Sequence, residues 1–220
     1  MEALMPAFGM LTDDFNDGVL DPVKWSQSYG DPSEAGGRAR VPCTTGYAGC
    51  RSASSYSLAW SQIALKVFPP AAGGGATSAA MSVLVLSDVG GTDAGFIVDP
   101  AQAAIGLYLR VGYADGAAVF LTYSAIDHAW LRLREDAGTM RWETSVDGLT
   151  WTVRRTAASP AWVSQSNLSF LVEAHRDAGP SDFAEFDQFN IVRPARIGAP
   201  SRTGAGLSPL ARTTSTLSGG

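Results

Sequence analysis

The chain has 220 residues, 45% apolar and 10% aromatic, with only 17% charged residues and a formal net charge of −5. That composition suffices for one large core and excludes a disordered chain. The acidic balance argues against duplex nucleic acid, which needs a clustered basic surface, and no apolar run approaches the roughly 20 residues needed to cross a bilayer.

Read from the start, MEALMPAFGM carries an acidic residue where a secretion signal needs Lys or Arg, and Pro6 breaks its short apolar run, so no signal peptide is expected. Helix periodicity is nearly absent, whereas period-two runs recur between Gly, Pro and Asp punctuation. The predicted strands are 10–15, 38–42, 55–60, 62–68, 79–87, 95–98, 104–112, 117–123, 129–134, 138–145, 150–155, 168–175 and 183–192. About a dozen short strands at this spacing predict an all-β, two-sheet antiparallel sandwich. The segment SVDGLTW places Asp147-Gly148 between two alternating runs, a strong hairpin signal.

The expected organisation is an N-terminal segment 1–9, a sandwich 10–193 and an extended tail 194–220. Arg193, Arg196, Arg202 and Arg212 lie beyond residue 192 with no carboxylate, which leaves −9 on residues 1–192 and suits the tail to an acidic neighbour in an assembly. Cys43 and Cys50, in PCTTGYAGC, could close a disulfide loop or stay as free thiols. No metal site or cofactor is expected; Asp13, Asp14, Asp17 and Asp21 form an acidic cluster that would suit Ca²⁺ but reads more simply as turn-forming aspartates.

Alternation also assigns faces. Leu131 and Leu133 point one way and Trp130, Arg132 and Arg134 the other; Ile105, Leu107, Leu109 and Val111 oppose Tyr108 and Arg110; Met140 and Trp142 oppose Arg141 and Glu143. If these strands share a sheet, Trp130, Tyr108, Arg110, Arg132, Arg134, Arg141 and Glu143 form one aromatic and arginine-rich outer face. Such a face suits a sugar, whose ring stacks while its hydroxyls take hydrogen bonds, and equally a protein contact. Trp151 and Trp142 are expected in the core, and Trp25 where the opening turn meets the sandwich.

DDFNDGVLDPVKW, HAWLRLREDAGTMRWETSVDGLTW and AEFDQFNIV together resemble concanavalin-like lectin/glucanase domains, jelly rolls of the laminin-G kind. The resemblance implies that the opening segment is an edge strand with its turn, that S-x-D-G-x-x-W is a hairpin between sheet strands, and that the closing strand returns beside the first. AEFDQF places Glu185 and Asp187 on one face, as in the catalytic strand of such glucanases, but no third acid follows and Gln188 stands next to them. No G-x-S-x-G elbow or phosphate loop occurs.

With its Gly/Ala/Arg-rich tail the chain is also similar to minor tail proteins of actinobacteria-infecting phages. The function expected is therefore a non-enzymatic virion protein, located in the phage tail, homo-oligomeric or part of a larger assembly. Its partners would be host-surface glycan or neighbouring virion proteins, without nucleic acid or membrane insertion. The alternatives are a cellular carbohydrate-binding module, cytoplasmic or exported, and a glycoside hydrolase using Glu185 and Asp187.

Overall fold

The computed structural model describes residues 6–191. Its strands are β1 (Ser33–Glu34), β2 (Ala39–Cys43), β3 (Ala48–Arg51), β4 (Gln62–Phe68), β5 (Ala79–Leu86), β6 (Asp93–Asp99), β7 (Ala104–Arg110), β8 (Val119–Thr122), β9 (Trp130–Asp136), β10 (Thr139–Ser145), β11 (Thr152–Ala158), β12 (Ser169–Arg176) and β13 (Asp182–Asp187). They form a seven-stranded sheet, β1-β2-β13-β4-β9-β10-β11, and a six-stranded sheet, β3-β12-β5-β6-β7-β8. The antiparallel two-sheet sandwich expected from the sequence is present, and helix among the described residues is limited to the 3-10 turns Phe8–Met10 and Ala161–Ser164.

The period-two strands bury one face each. In β4, Ile63, Leu65 and Val67 are buried while Gln62, Ala64, Lys66 and Phe68 lie half-exposed on the other side. Trp142, fully buried on β10, donates its indole N–H to the Gly95 carbonyl on β6 at 3.0 Å, so one side chain fills the core and ties the two sheets together. Arg155 on β11 reaches across in the same way: its Nη1 donates to Asp115 Oδ2 and to the Leu107 carbonyl, both at 2.6 Å, and its guanidinium lies 4.7 Å from the Trp142 ring centre. Burial pushes the Asp115 carboxyl up, but hydrogen bonds from Arg155 and from the Leu109 and Ala117 N–H groups outweigh it and hold the group below the usual aspartate range.

Two expected strands are absent. Beyond the turn that ends at Met10, residues 11–15 and 55–60 form no strand and make isolated bridges, Asp13 with Phe189, Tyr56 with Leu168 and Ser57 with Ala7. The closing segment thus returns beside the opening one, although the opening one is not an edge strand. The boundary at residue 10 falls inside the fold: Phe8 is fully buried, stacks on Tyr56 at 5.2 Å and donates its N–H to Ser57 O at 3.0 Å. Strand β3, AGCR, escaped the pattern because small residues carry no alternation. Cys43 on β2 and Cys50 on β3 are buried free thiols, one in each sheet, and no disulfide joins them. The tail 194–220, with Arg193, Arg196, Arg202 and Arg212, lies outside the described residues.

Candidate functional site

Strands β9 and β10 pair so that Arg132 faces Glu143, Arg134 faces Arg141 and Trp130 faces Ser145 on the outer side of the seven-stranded sheet. Arg132 Nε donates to Glu143 Oε2 at 2.5 Å and Arg134 Nη2 to Glu143 Oε1 at 3.4 Å. Arg134 Nη1 and Arg141 Nη1 both reach Asp136 Oδ2, at 3.0 and 3.5 Å. Glu143, only 3% exposed, is an anion roofed by guanidinium groups, and five of the seven residues proposed for one face do share it.

Tyr108 and Arg110 do not. They lie on β7 in the six-stranded sheet, where Arg110 Nε and Nη2 bind Asp93 at 2.9 and 3.0 Å and Tyr108 meets Phe120 edge-on at 5.7 Å. Alternation says which side of its own strand a residue takes, not which sheet the strand joins. Val111, expected inward, falls just past the end of β7 in a turn and is 68% exposed.

Two tryptophans also exchange their expected places. Trp130 points outward but is only 4% exposed, because the hairpin turn lies on it: a Cβ at Gly148, whose φ is +73°, would stand 2.8 Å from the indole. Only glycine fits there, for both its backbone angle and its closeness. Trp151, expected in the core, is half-buried on the outer face with the Arg132 guanidinium 4.2 Å from its ring centre. The reason is local: β11 begins after it, and a bulge between Trp142 and Glu143 shifts the β10–β11 register. The hairpin itself is as expected, with Asp147 Oδ1 accepting from the Leu149 and Thr150 N–H groups at 2.8 and 2.9 Å.

Trp130, Trp151 and Arg132, with Gln62, Gln188 and Asn190, line a cavity of about 220 Å³. Asn190 is its structural anchor: Oδ1 accepts from the Ala64 N–H at 2.8 Å, and Nδ2 donates to the Phe8 and Leu11 carbonyls at 2.8 and 3.0 Å. Gln188 and Asn190 both take left-handed backbone angles, φ +53° and +52°, which turn the chain out of β13 and set Gln188 at the cavity. The sequence reading missed Trp151, Gln62, Gln188 and Asn190 as site residues. The left-handed tolerance of Asn in DQFN was the one available signal.

Glu185 and Asp187 lie on β13 of the same sheet. Glu185 is gripped by Arg38 Nη1 and Arg40 Nε, each at 2.7 Å. Asp187 pairs in register with Lys66, which faces Trp130 on the next strand, and burial pushes its carboxyl above the usual aspartate range. Phe186 and Phe189 serve the core, while Phe183 stays half-buried outside it under the Arg40 guanidinium, 3.9 Å from the ring centre. Three of the N-terminal aspartates hold local structure: Asp13 accepts from the Phe15 N–H and the Trp25 indole, Asp17 from the Val19 N–H, and Asp21 from the Val23 and Lys24 N–H groups. Trp25 is buried among Phe15, Phe170, Phe186 and Phe189, as the opening turn predicts.

No protein-family model matches the chain, and no curated protein matches it in sequence. Solved structures do match its fold. The catalytic domain of an endo-1,3-β-glucanase (laminarinase) from Thermotoga petrophila aligns at TM-score 0.61 and 12% identity, covering 81% of this chain and 94% of that one. A β-glucanase from Bacillus licheniformis aligns at 0.59 and 12%, covering 81% and 95%. The Crh5 transglycosylase aligns at 0.60 and 10%, covering 84% and 85%.

The fold is therefore a concanavalin-like jelly roll of the laminarinase kind. The phage-tail part of the sequence resemblance has no support in these structures. They also overturn the expectation of a protein without catalysis, since the sandwich is one on which glucanases and a transglycosylase are built.

Proposed function

We propose that the chain is a carbohydrate-binding protein that takes a β-glucan chain in the cavity at Trp151. The observation that carries this reading is an indole held by a stacked guanidinium, with two carboxamide side chains, Gln62 and Gln188, in the same concavity. A sugar offers an apolar C–H face to the ring and hydroxyls to planar donors and acceptors, and ligand sites combine few polar groups with aromatic walls in this way. The likeness of the fold to glucanases supports it. The finer setting, a phage tail in which this sandwich meets host-surface glycan and neighbouring tail proteins, joins the proposal on the strength of the sequence resemblance.

Titration of the full chain with a soluble β-1,3-glucan tests the reading. Binding is expected, and Trp151→Ala, which removes a half-exposed ring, should weaken it by about tenfold or more, equivalent to 1.4 kcal/mol. No binding by the unaltered protein, or equal binding by Trp151→Ala, would sink the proposal.

One observation favours hydrolysis as a second reading: Asp187, its carboxyl raised by burial as a proton donor requires, shares a face with Glu185 and adjoins Gln188 of the cavity. The same glucan assayed for new reducing ends decides it, with Asp187→Asn and Glu185→Gln both inactive if the pair does the chemistry.

A further inference from the structure

Trp60 breaks two rules at once. It is 75% exposed, so its indole has little packing to stabilise it, and its φ of +55° is a left-handed angle that bulky residues avoid. The fold holds it there from below: the buried Glu135 accepts the Trp60 N–H at 2.6 Å, together with the Gly138 N–H at 2.7 Å and the Ser159 hydroxyl at 3.0 Å. Strain that the surroundings impose on an exposed aromatic residue points to a use for that ring in solvent.

The ring borders a cleft of about 420 Å³, lined also by Ser61, Gln62, Arg134 and Asp136. Gln62 lines the Trp151 cavity too, so the two concavities adjoin. Their cations, Arg132 and Arg134, are two residues apart on the outer side of β9, roughly 7 Å along the strand and on the scale of one sugar unit. Arg134 Nε is buried and has no hydrogen-bond partner among the described residues, while Asp136 remains 43% exposed as an acceptor. Arg134 and Asp136 supply one charge of each sign beside the ring, which suits the hydroxyls of a neutral sugar better than a charged group.

We propose that the Trp60 cleft is a second sugar subsite and that the site takes a linear chain of neutral, equatorially substituted hexoses running along β9 from Trp151 to Trp60. Equatorial substitution leaves axial C–H groups to lie flat on each indole. This rests on the reading that the Trp151 cavity binds glucan, and chain length separates the two claims.

The test is calorimetric titration of the full chain with a β-1,3-linked disaccharide and with the corresponding hexasaccharide. The unaltered protein should bind the hexasaccharide about tenfold more tightly, and Trp60→Gly should abolish that advantage while leaving disaccharide affinity within about twofold. Glycine accepts the left-handed angle, so this variant keeps the fold. Equal affinity for the two lengths in the unaltered protein, or an unchanged length advantage in Trp60→Gly, would overturn the second subsite and leave the first standing. If neither oligosaccharide binds, the glucan reading falls and the subsite with it.

Discussion

Across the outer side of the seven-stranded sheet, neighbouring strands set cations against anions: Arg40 pairs in register with Glu185 and Arg132 with Glu143. The matching rungs of the six-stranded sheet run Gly49, Glu173, Ser82, Ile97, Gly106 and Phe120, and then Arg51, Leu171, Leu84, Gly95 and Tyr108. One face is a lattice of ion pairs with tryptophan-lined hollows; the other is small and apolar in its middle, where Leu84 and Leu171 are 4% and 6% exposed, and carries an ion pair, Asp93 with Arg110, one rung further along. Both arise from the same alternation on strands of one sandwich. The difference teaches that one face depends on pairing and the middle of the other on the burial of apolar side chains, and a perturbation suited to one should do little to the other.

The largest expected effect is on the paired face. Glu143→Ala removes the anion under Arg132 and Arg134 and should cost about 3 kcal/mol in a urea unfolding experiment, since breaking a buried pair strands its cations. Glu143→Gln should recover part of that loss, because the amide still accepts a hydrogen bond. A loss below about 1 kcal/mol would mean that the lattice contributes no more than ordinary surface pairs do.

On the apolar face, Leu84→Ala should cost about 2 kcal/mol by the same measurement and leave glucan affinity unchanged. Lost affinity in that variant would move the binding site to the six-stranded sheet.

The smallest effect is the acid response of the junction between the sheets. The folded-state value of Asp115 is depressed, so its contribution is fully present above the ordinary aspartate value of about 4 and is lost as the pH falls through the folded value. Asp115→Asn should lower the urea midpoint at pH 7 and narrow the gap between the pH 7 and pH 3 midpoints. An unchanged gap would show that other carboxylates set the acid limit.

The candidate site was legible in part. The alternation in HAWLRLRED and TMRWETS gave Arg132, Arg134, Arg141 and Glu143 a common face on the condition that their strands share a sheet, and they do. For Tyr108 and Arg110 the condition fails, and the pattern of IGLYLRV is the same in either sheet. Trp130 and Trp151 changed roles through features with no periodic signal, namely a glycine turn folded over one ring and a single-residue bulge beside the other. Trp60 looked like the end of a strand, and only its left-handed angle above Glu135 makes it a presented ring.

What the amino-acid order determined by itself is the class of fold, the SVDG hairpin and the inward set Ile105, Leu107, Leu131, Leu133, Met140 and Trp142. These depend on periods of two residues and on turn chemistry, which are local. Which strands lie side by side, which outward residues therefore meet, and which tryptophans reach solvent were decided only by the tertiary structure. Sheet membership depends on pairings between segments far apart in the chain, and no local pattern records them.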